Sequence, residues 1–225
     1  MAWPHYYLLI FIAIIWVLEK FFPKFMERFE ENFLVLIITS IMVVSFGQVV
    51  ARYGFNTGWA AALEFNTVAF SWLILIGMSY GIKTGLHLGV DLLLNAVPKP
   101  ITKLLSLFGA TCAMVYGLLL LDSAWFAALG VDVRGGAIEY WLKMYKVGIG
   151  MEELRYPQFM QEAFGLQPRF HRWITLLVLP MSLAMLVFRG AQAFVDIATN
   201  KRAMLISGHE AEELVAEHKD VLKDD

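Results

Sequence analysis

Charge is scarce in this chain. Only 17% of its 225 residues are Asp, Glu, Lys or Arg, and 59% are hydrophobic, whereas a water-facing domain carries about 25% charged residues. That deficit argues against a soluble domain. Cysteine is nearly missing: Cys112 stands alone, which leaves no internal disulfide and no zinc site built on cysteines. The formal net charge of −2, with no basic cluster, offers no field for nucleic acid.

Reactive chemistry is missing from the hydrophobic runs as well. Four stretches, 33–51, 65–82, 104–121 and 173–188, contain no Asp, Glu, Lys, Arg or His. Ionisable groups inside membrane helices mark ion sites, proton relays and substrate paths, so their absence argues against this chain moving a charged solute alone. The five histidines, His5, His87, His171, His209 and His218, all lie outside these runs, which disfavours a membrane haem with two His ligands. Ser45, Ser71, Ser79 and Thr111 have no buried base beside them in sequence, so a hydrolytic site is not expected. There is no internal repeat, and Pro180 is the lone helix breaker within the runs, unlike the paired broken helices of inverted-repeat transporters. No catalytic residue, cofactor or metal is expected.

What is present is apolar length. With 17 Phe, 8 Tyr, 7 Trp and 11 Met, each run can form a helix of about 18 residues, rising ~27 Å across a hydrocarbon core of ~30 Å. Backbone pairing in lipid requires that helical form. Pro180 frees a carbonyl one turn earlier, a kink that a neighbouring side chain must cover. The fold class expected is an all-α integral membrane protein of four transmembrane helices, with an N-terminal hydrophobic helix and an amphipathic segment in the long third loop. Residues 1–32 make the N-terminal helix and basic flank, 33–190 the membrane domain with its loop 122–172, and 191–225 an acidic tail.

Residues 1–18 carry no side-chain charge apart from His5. They lack the basic start and small-residue cleavage site of a signal peptide, so a retained helix is expected, either a fifth span or one lying in the interface. In the third loop, Ile138, Trp141, Leu142 and Tyr145 recur at helical spacing, which suits an amphipathic helix on a membrane or another protein. The short connections set the sidedness: Arg52 is the basic residue of the first, and Lys83, Lys99 and Lys103 those of the second. The second connection and the C-terminus are therefore expected in the cytoplasm. Trp59, Trp125 and Trp173 fall at outer span ends, where an aromatic belt belongs. Gly77, Gly81 and Gly85, and Gly109, Ala113 and Gly117, repeat every four residues, a spacing that lets helix backbones approach closely, within the chain or with a partner.

A family resemblance rests on residues around the first two runs. Gln48 to Tyr53 (QVVARY) closes the first; Trp59 and Glu64 precede Phe70, Trp72, Gly77 and Gly81; then come His87, Val90, Asp91 and Pro98. In this register the chain resembles the small (DctQ-type) membrane subunit of TRAP transporters, the tripartite ATP-independent periplasmic transporters. The resemblance implies a bacterial inner-membrane protein with two protein partners, a large membrane subunit and a periplasmic solute-binding protein, besides membrane lipids. It implies a scaffold that braces the large subunit during uptake of an organic acid driven by an ion gradient, commonly sodium. The segment 140–157 looks like that of C4-dicarboxylate members. The small subunit of a tricarboxylate transporter, or a structural subunit of a redox complex, is the alternative.

The motif residues are candidates for structure and partner contact. Arg52 and Glu64 are expected to meet at the outer interface as an ion pair, with two separately solvated charges as the alternative. His87 and Asp91, at i and i+4 on one helix face, either tie the loop to Lys83 or the large subunit, or cap an interfacial helix. Trp72 is expected to pack, and Trp59 to anchor in the belt.

Overall fold

The computed structural model describes residues 5–84, 97–131 and 135–201. In chain order the elements are α1 (Tyr7–Phe21), α2 (Pro23–Gly54), α3 (Ala60–Thr84), α4 (Lys99–Leu121), a 3-10 turn (Ser123–Leu129), α5 (Ala137–Val147), β1 (Gly150–Arg155), α6 (Gln158–Phe164), β2 (Arg169–His171), α7 (Arg172–Leu176) and α8 (Val178–Ala198). Four helical stretches are long and apolar enough to cross a membrane: Arg28–Gly54, Ala60–Thr84, Pro100–Leu121 and Arg172–Ala198. All four expected runs are there, and each is longer than its uncharged core. The helices continue into their charged flanks, because helical hydrogen bonding does not stop where hydropathy does. Glu30, Lys83 and Arg189 thus lie on the membrane-length helices, just beyond the uncharged runs.

Side-chain contacts fix the helix directions. Lys83 on α3 reaches Glu30 on α2, and Asn66 reaches Ser45, so α2 and α3 are antiparallel. Trp72 meets Thr175 near the start of the last span, while Lys83 and Arg189, further along each helix, share Glu30, so α3 runs parallel to α8. Helix α4 is antiparallel to α8: Lys103 bonds Asn200, while Gly117 faces Val187. Two ends of the bundle result, one carrying the β-hairpin and the other the charges Glu30, Lys83 and Arg189.

The α4–α8 contact is close because glycine permits it. A Cβ on Gly117 would stand 2.9 Å from Val187 Cγ2, and one on Gly190 would stand 2.8 Å from Met114 Cγ. At Gly77 a Cβ would meet nothing within 4 Å, Gly81 is half-buried, and Gly85 lies outside the described residues. Gly117, from the repeat on α4, thus seats a helix within the chain. Gly117→Leu is expected to cost ~1–3 kcal/mol through overpacking and to lower the melting midpoint in detergent. Gly77→Ala should hold that midpoint or raise it slightly, since Ala favours the helix.

The last span breaks at Leu177, where its amide bonds the Ile174 carbonyl in a tightened turn. Pro180 stands in the first turn of α8, where its missing N–H is least costly. Trp72 Nε1 donates to the Thr175 carbonyl beside this break at 2.8 Å.

The third loop departs from expectation in two respects. It holds a two-stranded antiparallel hairpin, β1 with β2, unforeseen in an all-α reading. And α5 turns its stripe inward onto the bundle: Ala137 and Ile138 are buried in the core cluster with Leu121, Leu183 and Phe188, and Leu142 packs against it. Trp141 donates to the Trp173 carbonyl, and Tyr145 meets the Trp173 ring edge-on at 5.4 Å. The apolar spacing was a real signal; its partner is this chain's own last span.

Candidate functional site

Removing a charge from water costs several kcal/mol unless a counter-charge and hydrogen bonds replace the solvent. Arg189 meets that requirement through its two terminal nitrogens, its buried Nε being left without a partner among the described residues, at the end of the bundle away from the hairpin. Its side chain is 3% exposed and Glu30 is 2% exposed, with Arg189 Nη2 to Glu30 Oε1 at 2.6 Å. Arg189 Nη1 reaches both oxygens of Glu19 and Gln192 Oε1, each at 2.7 Å. Gln192, one turn further along α8, donates back to Glu19. Lys83 donates to the second oxygen of Glu30 at 2.9 Å. Two carboxylates and two cations thus close on one another and join α1, α2, α3 and α8. Such a network can lock helices together.

A second locked contact lies at the hairpin end. Glu64, one turn into α3, accepts hydrogen bonds from three successive backbone amides, those of Glu152, Glu153 and Leu154, at 2.7–2.9 Å. Regular strands alternate their N–H groups, so one carboxylate could not collect three in a row. The pairing of β1 with β2 supplies the irregularity: register is held at Gly150↔His171 and Arg155↔Arg169 and shifts between them. That bulge releases the middle amides to Glu64. The hairpin is closed on itself by the buried Tyr156, whose hydroxyl meets His171 Nδ1 at 2.9 Å.

The sequence candidates separate on this frame. Arg52 and Glu64 do not pair: Arg52 is exposed with no acidic side chain within ion-pair distance among the described residues, and the Glu64 carboxylate is taken up by the hairpin. The expected ion pair is corrected accordingly. Trp59 lies over α2, with its ring 3.4 Å from where a Gly47 Cβ would be. Trp72 braces the Thr175 carbonyl and stacks with Phe33. His87 and Asp91 lie outside the described residues.

Sequence reasoning missed Glu19, Glu30, Arg189 and Gln192, which lie just outside the uncharged runs. The available signal was acidic: Glu19 and Glu30 sit among basic residues at span ends, where a positive flank alone would suffice.

Residues 41–200 match the family of tripartite ATP-independent periplasmic transporters, DctQ component. The chain is 30% identical over 201 residues to the C4-dicarboxylate TRAP transporter small permease protein DctQ of Vibrio cholerae, covering 84% of this chain and 80% of that protein. It is 28% identical to the protein of the same name in Pseudomonas aeruginosa, over 68% of this chain and 60% of the relative. A third of that name, from Rhodobacter capsulatus, is 25% identical over 64% of this chain and 51% of the relative. The family is a transporter component and not a group of enzymes. With its four membrane-length helices and this match over most of its length, the chain belongs to the DctQ family, the small permease subunits of TRAP transporters, as a multi-pass protein of the bacterial inner membrane.

Proposed function

We propose that this chain is the brace of its transporter, holding the large membrane subunit while that subunit carries an organic acid inward. One observation supports this above others: the buried charges of Arg189 and Glu30 and the half-buried ones of Lys83 and Glu19 are spent on each other. A transport path needs polar groups that exchange partners with the solute, whereas a brace needs helices that do not move apart. A binding protein delivers the solute, and an ion gradient, sodium being the usual one, drives it. The solute class is a C4-dicarboxylate, by analogy with the names of the relatives. The end bearing Lys83, Lys103 and Lys201 faces the cytoplasm, with the C-terminus, following the bias of basic residues.

Co-expression with the large subunit should yield a stable complex. Vesicles holding that complex and its binding protein should take up labelled succinate in preference to sialic acid. Undiminished uptake after deletion of this chain would overturn the bracing role; uptake of sialic acid alone would overturn the solute assignment.

A further inference from the structure

We infer that α1 crosses the membrane as a fifth helix, so that the amino terminus lies on the side opposite Lys201 and on the same side as the loop 123–171. The helix is tied at both ends to opposite levels of the bundle. At its start, the His5 backbone N–H and Nδ1 both reach Asp122 Oδ2, at 3.1 and 2.8 Å, and Tyr6 meets the Trp125 ring edge-on at 5.8 Å. Asp122 is the C-cap of α4, 1% exposed, and its other oxygen accepts from the Ala124 amide. At the far end of α1, Glu19 grips Arg189 and Gln192. Between the two ties, Ile12 and Ile15 pack into the core cluster beside Leu121, Leu183 and Ile82. Helix α1 therefore runs parallel to α8, from the hairpin end toward the charged end.

The chain then reverses. Glu19 and Glu30 both bond Arg189, yet an unbroken helix would hold them ~16 Å apart. The break at Phe22 between α1 and α2 folds the two helices back on each other.

Composition separates a crossing from a surface helix. An interfacial helix carries one polar face, but Tyr7–Leu18 reads YLLIFIAIIWVL with no such face. Its outward residues are apolar, Leu9, Ile10 and Ile14 being half or more exposed. Lys20 sits in its last turn, Lys24 and Arg28 come just after it, and residues 1–6 hold no Lys or Arg, the asymmetry that holds the later end inside. At 15 residues, α1 rises only ~22 Å against a core of ~30 Å. Its termini, however, end on buried polar partners, and local thinning accommodates a short span at modest cost.

The test is cysteine labelling of the full chain in intact spheroplasts with a membrane-impermeant maleimide, in a Cys112→Ala background. Three probes are compared: a short uncharged cysteine tag ahead of Met1, Leu129→Cys in the exposed 3-10 turn, and Lys201→Cys at the charged end. The tag should react together with Leu129→Cys and oppositely to Lys201→Cys. If it reacts with Lys201→Cys, the inference is overturned, and α1 lies in the interface or turns back. Should Leu129→Cys prove internal while the tag still follows it, the orientation proposed above fails and the fifth crossing stands. Ala2→Cys, in place of the tag, repeats the measurement without added residues and leaves His5 in place.

Discussion

Arg189→Ala is expected to destabilise the folded protein by ~3–5 kcal/mol, the cost of leaving a buried counter-charge without its partner. The stranded group is Glu30, 2% exposed and left with Lys83 alone; Glu19, at 24% exposed, retains some water. Removing the cation also loosens α1, whose tie at the charged end falls to the hydrogen bond from Gln192 to Glu19. The measurement is the melting midpoint of purified protein in mild detergent, with recovery of folded material as a second readout. The triple variant Arg189→Leu, Glu30→Leu and Lys83→Leu should regain most of the loss, because well-packed apolar side chains replace a buried ion network at little cost or at a gain. Arg189→Ala melting like the parent would show the network to be ornamental and would remove the main support for a rigid brace.

The second large effect is local. Glu64→Ala withdraws the acceptor from three backbone amides at once. Hydrogen bonds to a charged group are worth ~1.5–3 kcal/mol each when sheltered, but this site is partly open to solvent, which competes for the amides. A net ~1–2 kcal/mol for the set is the expected loss. It falls on the docking of the hairpin and not on the whole bundle, so hairpin opening should increase about 10-fold, roughly the equivalent of 1.4 kcal/mol. Limited proteolysis between β1 and β2 reads that opening when reclosing is fast. Glu64→Gln, which keeps one acceptor oxygen, should fall between the parent and Glu64→Ala. Arg52→Ala should cleave like the parent, since Arg52 does not touch Glu64. A fast-cleaving Arg52→Ala would restore the ion pair that the geometry denies.

The two variants mark where sequence reasoning stopped. The four long helices were legible because hydropathy over a span is a sum of many small terms, insensitive to any one residue. Trp72 was legible as a packing residue for the same reason, although its partner, a carbonyl beside the break before Pro180, was not. Pairing is different. Arg52 and Glu64 are neighbours along the chain at a short helical connection, and proximity suggested a bond. The carboxylate instead found amides 88 to 90 residues away, made available by a bulge that no composition announces. Likewise Glu30 and Arg189 lie 159 residues apart, each at the edge of an apolar run where a solvated flank is the ordinary expectation. The stripe on α5 was read correctly as a face and assigned to the wrong neighbour, because periodicity says that a side is covered without saying by what.

The reach of Arg189 across the chain also sets a schedule for synthesis. Glu19 and Glu30 leave the ribosome first, Lys83 follows, and Arg189 emerges in the last membrane-length stretch. At ~5–20 residues per second, the interval from Lys83 to Arg189 is about 5–20 s. During that time the network holds two acidic groups with Lys83 as its one cation. Insertion is therefore complete in charge only when the final helix arrives, and a chain that stops short of it presents an unmatched acid to the quality-control proteases.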